Sequence, residues 1–131
     1  MECACYDCRT KLEYAISQGF KGKCTGFNQI WQFGNAFASV EGQELMKKYQ
    51  LREGAESTFI MTECCKTVLL VDHPAYQGNF VMAGAEMCNI TCDMSMKPTA
   101  RIHIQEWDSQ YGEMPPNEGT SQPLTSIWDF K

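Results

Sequence analysis

The feature of this sequence that most restricts its fold is the crowding of three cysteines into the first eight residues. Cys3, Cys5 and Cys8 form a Cys-x-Cys-x-x-Cys spacing, and the adjacent pair Cys64 and Cys65 follows much later. Short spacings of this kind are typical of thiolate metal sites, and two groups far apart in sequence let one ion join distant segments. Sulfur ligands favour tetrahedral zinc. We therefore expect these cysteines to supply a structural zinc site, with about one zinc per chain.

The composition excludes several classes of partner. The chain has 131 residues, 44% of them hydrophobic, and a formal net charge of −5 without a run of lysine or arginine. This size predicts one domain, and the acidic balance argues against a partner that is nucleic acid or an acidic membrane. No apolar stretch approaches the roughly 20 residues that cross a bilayer, and the N-terminus lacks the pattern of a secretory signal. We expect a cytoplasmic protein, in which reduced thiols favour metal binding over disulfides.

Hydrophobic patterning predicts a mainly β fold. Residues 11–16 alternate polar and apolar side chains before Gly19, which is typical of a half-buried strand followed by a turn. Residues 58–61 and 67–71 are also strand-like, and they flank Cys64 and Cys65. This arrangement predicts a hairpin that carries a metal at its turn.

The remaining segments complete this picture. Residues 44–49 predict a short helix or a strand edge, and residues 80–83 and 99–107 predict two further strands. After these strands the composition becomes rich in proline, glycine, serine and asparagine. We expect a domain over residues 1–111 and an extended tail over residues 112–131, whose apolar end can dock on the domain.

Several motifs in a fixed order carry a family resemblance. They are Cys3-x-Cys5, Cys24, Gly34-Asn35-Ala36-Phe37, Val40-x-Gly42-x-Glu44-Leu45-x-x-x-Tyr49, Phe59, Cys65-Lys66-Thr67, Ala83-Gly84 and Lys97-Pro98-Thr99-Ala100-Arg101-Ile102. In order and spacing the chain resembles the glutathione-dependent formaldehyde-activating enzyme family, also called the centromere protein V family. The resemblance implies a β-tent fold of small antiparallel sheets, a structural zinc held by Cys-x-Cys and Cys-x-x-Cys motifs, and a catalytic zinc held by a Cys-His-Cys-x-x-Cys loop. The implied chemistry is formation or cleavage of a carbon–sulfur bond in a glutathione adduct of an aldehyde.

In the alignment register that we favour, the catalytic loop of the family falls on residues 24–29. Only Cys24 is kept there, and Gly26 and Gln29 replace two ligands. Such a loop does not supply the three ligands of a catalytic zinc. Thr62 replaces one structural ligand, and Cys8 can compensate for it. This register predicts that the structural zinc is kept and the catalytic zinc is lost.

A second register gives the N-terminal cysteines the opposite role. Cys3, Cys5 and Cys8, followed by Arg9, match the spacing of the catalytic loop by themselves. In this register the three cysteines are catalytic, although the N-terminal strands of the family are then missing. The position of the metal distinguishes the registers, because a structural ion joins the N-terminus to residues 64 and 65, whereas a catalytic ion is held by the three cysteines alone in an open pocket.

The first register also predicts a pocket. The candidate catalytic residues are Cys24, Gln29, Arg101 and His103, and the candidate substrate-binding residues are Asn28, Trp31 and Asn35. Arg101 and His103 are two residues apart, so in a strand both project from one face. Histidine is suited to acid–base work near neutral pH, and arginine to steadying an anion. For His73, which precedes Pro74, a solvated or turn-capping role is favoured.

Two classes of function follow from these observations. The first is a small lyase or isomerase that acts on a thiol-derived or carbonyl-containing metabolite by side-chain chemistry. The second is a non-catalytic, zinc-stapled binding or scaffolding domain. The second register adds a zinc-dependent carbon–sulfur lyase acting on glutathione adducts. The expected partner is a small molecule, and the sequence is compatible with a homo-oligomer.

Overall fold

The computed structural model describes residues 1–34, 37–84, 91 and 100–117, and within them the fold is mainly β, as predicted. It contains one helix of 12 residues and seven strands that form a single sheet. The strands and helix are β1 (Glu2–Cys3), α1 (Tyr6–Ser17), β2 (Asn28–Gly34), β3 (Met46–Tyr49), β4 (Thr58–Thr62), β5 (Val68–Asp72), β6 (Phe80–Gly84) and β7 (Arg101–Ile102).

The order of strands across the sheet places the N-terminus in its interior. The order is β3-β4-β5-β6-β2-β1-β7, and every neighbouring pair is antiparallel except β1 and β7, which are parallel. The short strand β1 therefore lies between β2 and β7. It is held there on both sides, since Glu2 pairs with Gln29 and with Arg101. As a result Cys3 is 2% exposed.

The hairpin predicted around Cys64 and Cys65 is confirmed. Strands β4 and β5 pair antiparallel, and the turn between them is closed by a hydrogen bond from the Thr62 N–H to the Thr67 carbonyl oxygen at 3.0 Å. Residues 44–49 contain the end of a short 3-10 helix at Gln43–Leu45 and then strand β3 (Met46–Tyr49). β3 is thus an edge strand beside β4.

The strand predicted over residues 11–16 is wrong, because this segment belongs to α1. The residues that α1 buries include Cys8, Leu12 and Ala15, which recur every three or four positions as on one face of a helix. Ala15 packs with the buried Phe59 of β4 and Val68 of β5. The predicted turn follows, since Gly19 has a φ of 107° where the helix ends, a conformation that favours glycine.

The late strand is shorter than predicted. β7 ends at Ile102, and a 3-10 helix follows at Ile104–Glu106. Residues 112–117 form no helix or strand, and the apolar end of the tail lies outside the described residues. In the part of the chain described here, no helix has the length and apolar character needed to cross a bilayer.

Candidate metal centre and adjoining cavity

Three cysteine side chains meet where β1 passes into α1. Cys3 ends β1, Cys5 caps the helix, and Cys8 lies in its first turn. The Cys5 sulfur accepts a hydrogen bond from the Cys8 N–H at 3.3 Å, so the spacing of three residues that forms the helix cap also brings the two thiols together. The three Sγ atoms all lie within 4.8 Å of one another.

The environment of the cluster favours negative charge at Cys8. Lys11 lies one helical turn after Cys8, is itself only 5% exposed, and directs its Nζ to the Cys8 sulfur at 3.7 Å. Hydrogen bonds from Cys3 and Cys5 lower the pKa of Cys8 well below its ordinary value, and the ammonium group of Lys11 and the amide of Asn28 act in the same direction. The helix N-terminus further favours an anion at this point.

The other two thiols retain their protons when no metal is bound. Hydrogen bonds with Cys5 and Cys8 raise the pKa of Cys3 well above its ordinary value, and burial adds to this. At Cys5 the hydrogen bond from Cys3 favours the thiolate, but the hydrogen bond to Cys8 and burial outweigh it and raise the pKa to about 12. The three thiols are therefore coupled, and Cys8 is the first of them to lose its proton in the metal-free protein.

This donor set can hold a metal ion. Sulfur atoms bound to a tetrahedral zinc are about 3.8 Å apart, so the observed cluster needs to contract by about 1 Å or less. Three thiolates and a divalent ion carry a net charge of −1, which Lys11 offsets. Among the described residues no fourth histidine, cysteine or carboxylate joins the cluster. A structural zinc site has four protein ligands, whereas a catalytic site has three and keeps its fourth position for water or substrate.

The cluster forms part of the wall of a cavity of 530 Å³. This volume lies within the usual range for small-molecule sites. Its lining combines the three cysteines with apolar side chains and with charged or titratable ones; the latter are Asp7, Lys11, Arg52, Glu56, His73, His103 and Glu106. Tyr76 also lines it, and its buried hydroxyl donates a hydrogen bond to the Met82 sulfur at 3.2 Å.

His103 and Glu106 form a dyad in this cavity. The Nδ1 atom of His103 lies 3.0 Å from Oε1 of Glu106, and the other carboxylate oxygen accepts a hydrogen bond from the Tyr6 N–H at 2.8 Å. With Glu106 ionised, Nδ1 is the donor, and Nε2 is left to accept a proton. His103 has a φ of 54°, in the left-handed region that few non-glycine residues adopt and that histidine adopts more often than most.

Arg9 fixes the position of this dyad relative to the cysteines. Its buried guanidinium donates hydrogen bonds to the carbonyl oxygen of Ala4, between two of the cysteines, and to that of Glu106 at 2.5 Å. One side chain thus joins the start of α1 to the Ile104–Glu106 turn. The start of α1, with its cysteines, and the dyad are therefore held in a fixed relative position.

The predicted capping role of His73 is confirmed. Its Nδ1 accepts a hydrogen bond from the Ala75 N–H at 3.0 Å, at the start of a 3-10 helix that begins with Pro74. Its Nε2 lies 3.1 Å from a carboxylate oxygen of Glu56. His73 therefore has both ring nitrogens occupied by protein partners.

The structure does not bring Cys64 and Cys65 to the cluster. Both are exposed in the β4–β5 turn, where the Cys65 sulfur lies 3.0 Å from the Thr62 hydroxyl and 3.1 Å from that of Thr67. These hydroxyls, followed by the Thr67 N–H, lower the pKa of Cys65 to about 7. The two halves of the predicted five-cysteine set thus lie at different places in the fold.

The residues predicted to form the pocket wall lie elsewhere. Cys24, Gln29 and Trp31 do not line the cavity. The Cys24 sulfur accepts a hydrogen bond from the Tyr111 hydroxyl at 3.2 Å, and Gln29 is exposed. Asn28 is buried and contacts Cys8 instead of the cavity, and Asn35 lies outside the described residues.

Arg101 and His103 do not share a strand face, so that prediction is wrong. β7 ends before His103, whose backbone turns into the following 3-10 helix. Arg101 is buried, and its Nε donates to the Glu2 carboxylate at 2.6 Å while Nη1 donates to the Pro115 carbonyl oxygen at 2.6 Å. Its guanidinium lies 4.6 Å from the centroid of the Phe27 ring. Arg101 thus joins structural elements, and only His103 reaches the cavity.

Sequence reasoning missed Lys11, Tyr76 and Glu106. Lys11 is separated from Cys8 by three residues, as is Glu106 from His103, so a correct helical assignment would have paired each with its partner. Tyr76 carries no sequence signal, because only the tertiary fold brings it beside the cysteines. Protein-family models, curated proteins and solved structures were compared with the chain, and none of them matches it.

Proposed function

We propose that this protein is a metal-dependent enzyme that forms or cleaves a carbon–sulfur bond between a thiol and a small carbonyl compound. Cys3, Cys5 and Cys8 hold one zinc ion, and the adjoining cavity receives the substrate. The observation that carries this proposal is that three converging thiols and the His103–Glu106 dyad line one cavity. The proposal adopts the second register of the family resemblance, and with it the β-tent fold and a reducing cytoplasmic location.

Each residue of the proposed site has its own role in the reaction. Bound zinc supplies a Lewis acid that favours the thiolate form of a substrate thiol or polarises a carbonyl oxygen. In the direction of bond formation, the substrate thiol loses its proton to Nε2 of His103, and its sulfur bonds to the carbonyl carbon. The carbonyl oxygen then takes up that proton, which completes the adduct without any change in oxidation state. Glu106 orients His103, and Lys11 balances the charge of the cysteines.

One observation favours a second candidate, a zinc-stapled binding domain. Cys3 and Cys8 are buried and belong to the same apolar cluster as Ile30, Met82 and Ile102. A metal in that position stabilises the contact of β1 with α1 even without catalysis. The two candidates share the metal site and differ in whether its fourth position is open to a ligand.

Metal content tests the shared part of the proposal. Elemental analysis of purified protein is expected to give about one zinc per chain, Cys8→Ser is expected to lose it, and the matched control Cys65→Ser is expected to keep it. Because Cys8→Ser can also disturb folding, the helical circular dichroism signal of each variant is recorded. Full zinc occupancy in a folded Cys8→Ser protein would contradict the assignment.

Cobalt substitution tests whether the fourth position is open. Cobalt(II) in a thiolate site gives visible bands that respond to a change of ligand, so adding 2-mercaptoethanol is expected to shift the spectrum of the enzyme. An unchanged spectrum at saturating thiol would favour the binding domain.

Exchange spectroscopy tests the reaction itself. Nuclear magnetic resonance of glutathione with acetaldehyde reports how fast the adduct forms and breaks at equilibrium. We expect zinc-loaded protein to accelerate exchange, and His103→Asn to lose about 10²- to 10⁴-fold of that acceleration. Asparagine tolerates the left-handed backbone at this position. Cys65→Ser, in the exposed β4–β5 turn outside the cavity, is the control expected to stay near the wild-type rate.

A further inference from the structure

The segment after β3 gives the cavity an apolar wall. Leu51 and Ala55 come from the β3–β4 connection and Phe59 from β4, and all three line the cavity together with Val71 and Met82. Ala55 is 7% exposed and Phe59 is 3% exposed, so they face the interior. The cavity therefore has both apolar side chains and the cysteine cluster in its lining.

This wall is held in place without a ligand. Arg52 pairs with Asp7 of α1 at 2.7 Å, and Glu56 pairs with His73 beyond β5 at 3.1 Å. Within the connection, the Gln50 side-chain amide donates to the Ala55 carbonyl oxygen at 2.8 Å. The connection is thus tied to two other elements and braced internally, which makes the wall pre-formed.

The charged groups of the lining are engaged by protein partners. Lys11 contacts Cys8, Arg52 pairs with Asp7, and His103 pairs with Glu106. Each cation among the described lining residues thus already contacts a carboxylate or a sulfur atom. The contacts that the wall itself offers beside the cysteines are apolar.

We infer that the carbonyl substrate is a neutral aldehyde with an apolar substituent, an alkyl chain of medium length or an aromatic ring, which packs on Leu51, Ala55 and Phe59. This inference rests on the proposed function and names its substrate class. A one-carbon aldehyde is little larger than a water molecule, which occupies about 30 Å³ in the liquid, and has no substituent that could pack on this apolar wall. Each further buried methylene group is expected to raise affinity about fourfold.

A series of aldehydes tests this inference. Ethanal (acetaldehyde), butanal, hexanal and benzaldehyde are titrated calorimetrically into the zinc-loaded protein. Their turnover with glutathione is followed by exchange spectroscopy. We expect affinity to rise with chain length by about fourfold per methylene group, with an increasingly negative heat-capacity change. Leu51→Ala is expected to weaken the binding of hexanal about tenfold and that of ethanal distinctly less. Leu45→Ala, an exposed leucine outside the cavity, is the matched control.

The outcomes separate the two proposals. If ethanal is turned over but affinity does not rise with chain length, the substrate class is overturned while the proposed function stands. If no aldehyde is turned over by folded, zinc-loaded protein, the proposed function fails and the inference fails with it. Equal loss of hexanal affinity in Leu51→Ala and Leu45→Ala would show that Leu51 does not contact the substrate, and would overturn the inferred binding to this wall.

Discussion

At the scale of single residues, the same side-chain type has different chemistry at two places in this chain. Cys65 lies in an exposed turn, and the hydroxyls of Thr62 and Thr67 lower its pKa to about 7. Cys3 is buried beside two other thiols, and its pKa is raised. A neutral solution therefore leaves Cys65 about half ionised, whereas Cys3 in the metal-free protein keeps its proton.

This difference predicts selective alkylation. Because the thiolate is the nucleophile, the rate at which iodoacetamide modifies Cys65 is expected to reach half its maximum near pH 7. In Thr67→Val, which removes one hydroxyl at nearly constant shape, that midpoint is expected to move to higher pH. Thr58→Val, at the other end of β4, is the control. Mass spectrometry of the Cys65 peptide follows the rate, and an unchanged midpoint in Thr67→Val would contradict the role of the hydroxyl.

At the scale of elements, α1 decides where the cysteines and Lys11 lie. Residues 11–16 are polar and apolar in alternation, a pattern that fits a strand. Over six residues a period of two and a period of 3.6 share several positions, so alternation alone does not distinguish them. Cys8 lies before this segment and Ala15 lies near its end. Both are buried, and they extend the helical period beyond what the alternation shows.

The helix and strand interpretations differ in a measurable way. On a strand, Leu12 and Tyr14 would share one face, but on α1 Leu12 is 3% exposed and Tyr14 is 38% exposed. Leu12→Ala is therefore expected to lower the free energy of unfolding by about 2–5 kcal/mol, as for other buried leucines. Tyr14→Ala is expected to cost distinctly less, since it gives up a partly exposed ring contact with Tyr49. Urea unfolding measures both, and equal losses would speak against the helical arrangement.

At the scale of the whole molecule, the buried thiols link metal binding to the pH dependence of stability. Burial and the neighbouring cysteines raise the pKa of Tyr76, as the hydrogen bonds and burial described above raise those of Cys3 and Cys5. Above about pH 9 these groups stay protonated in the folded metal-free protein but ionise in the unfolded chain. The folded state then binds more protons, so its stability falls as pH rises. The lowered pKa of Cys8 contributes stability that is already fully present above the pKa of this thiol in the unfolded chain. It therefore adds no pH dependence of stability in this range.

Metal-free protein is accordingly expected to lose about 2 kcal/mol or more of stability between about pH 9 and pH 10.5. Zinc-loaded protein is expected to lose less, because its cysteines are already deprotonated in the folded state. Urea unfolding at both pH values, with and without zinc, gives the four free energies. A loss that zinc does not reduce would indicate that the cysteines do not bind it.

The sequence by itself determined the mainly β fold, the β4–β5 hairpin and the grouping of Cys3, Cys5 and Cys8, because strand periodicity, turn residues and short cysteine spacings act over a few neighbouring positions. It also singled out His103, which lines the cavity, although not its partner Glu106. Only the tertiary structure decided that Cys64 and Cys65 lie apart from the other cysteines, and that the predicted pocket residues Cys24, Asn28, Gln29 and Trp31 do not line the cavity. These placements depend on how strands far apart in the chain pair, above all on β1 lying between β2 and β7, and such long-range pairing leaves no mark in local sequence.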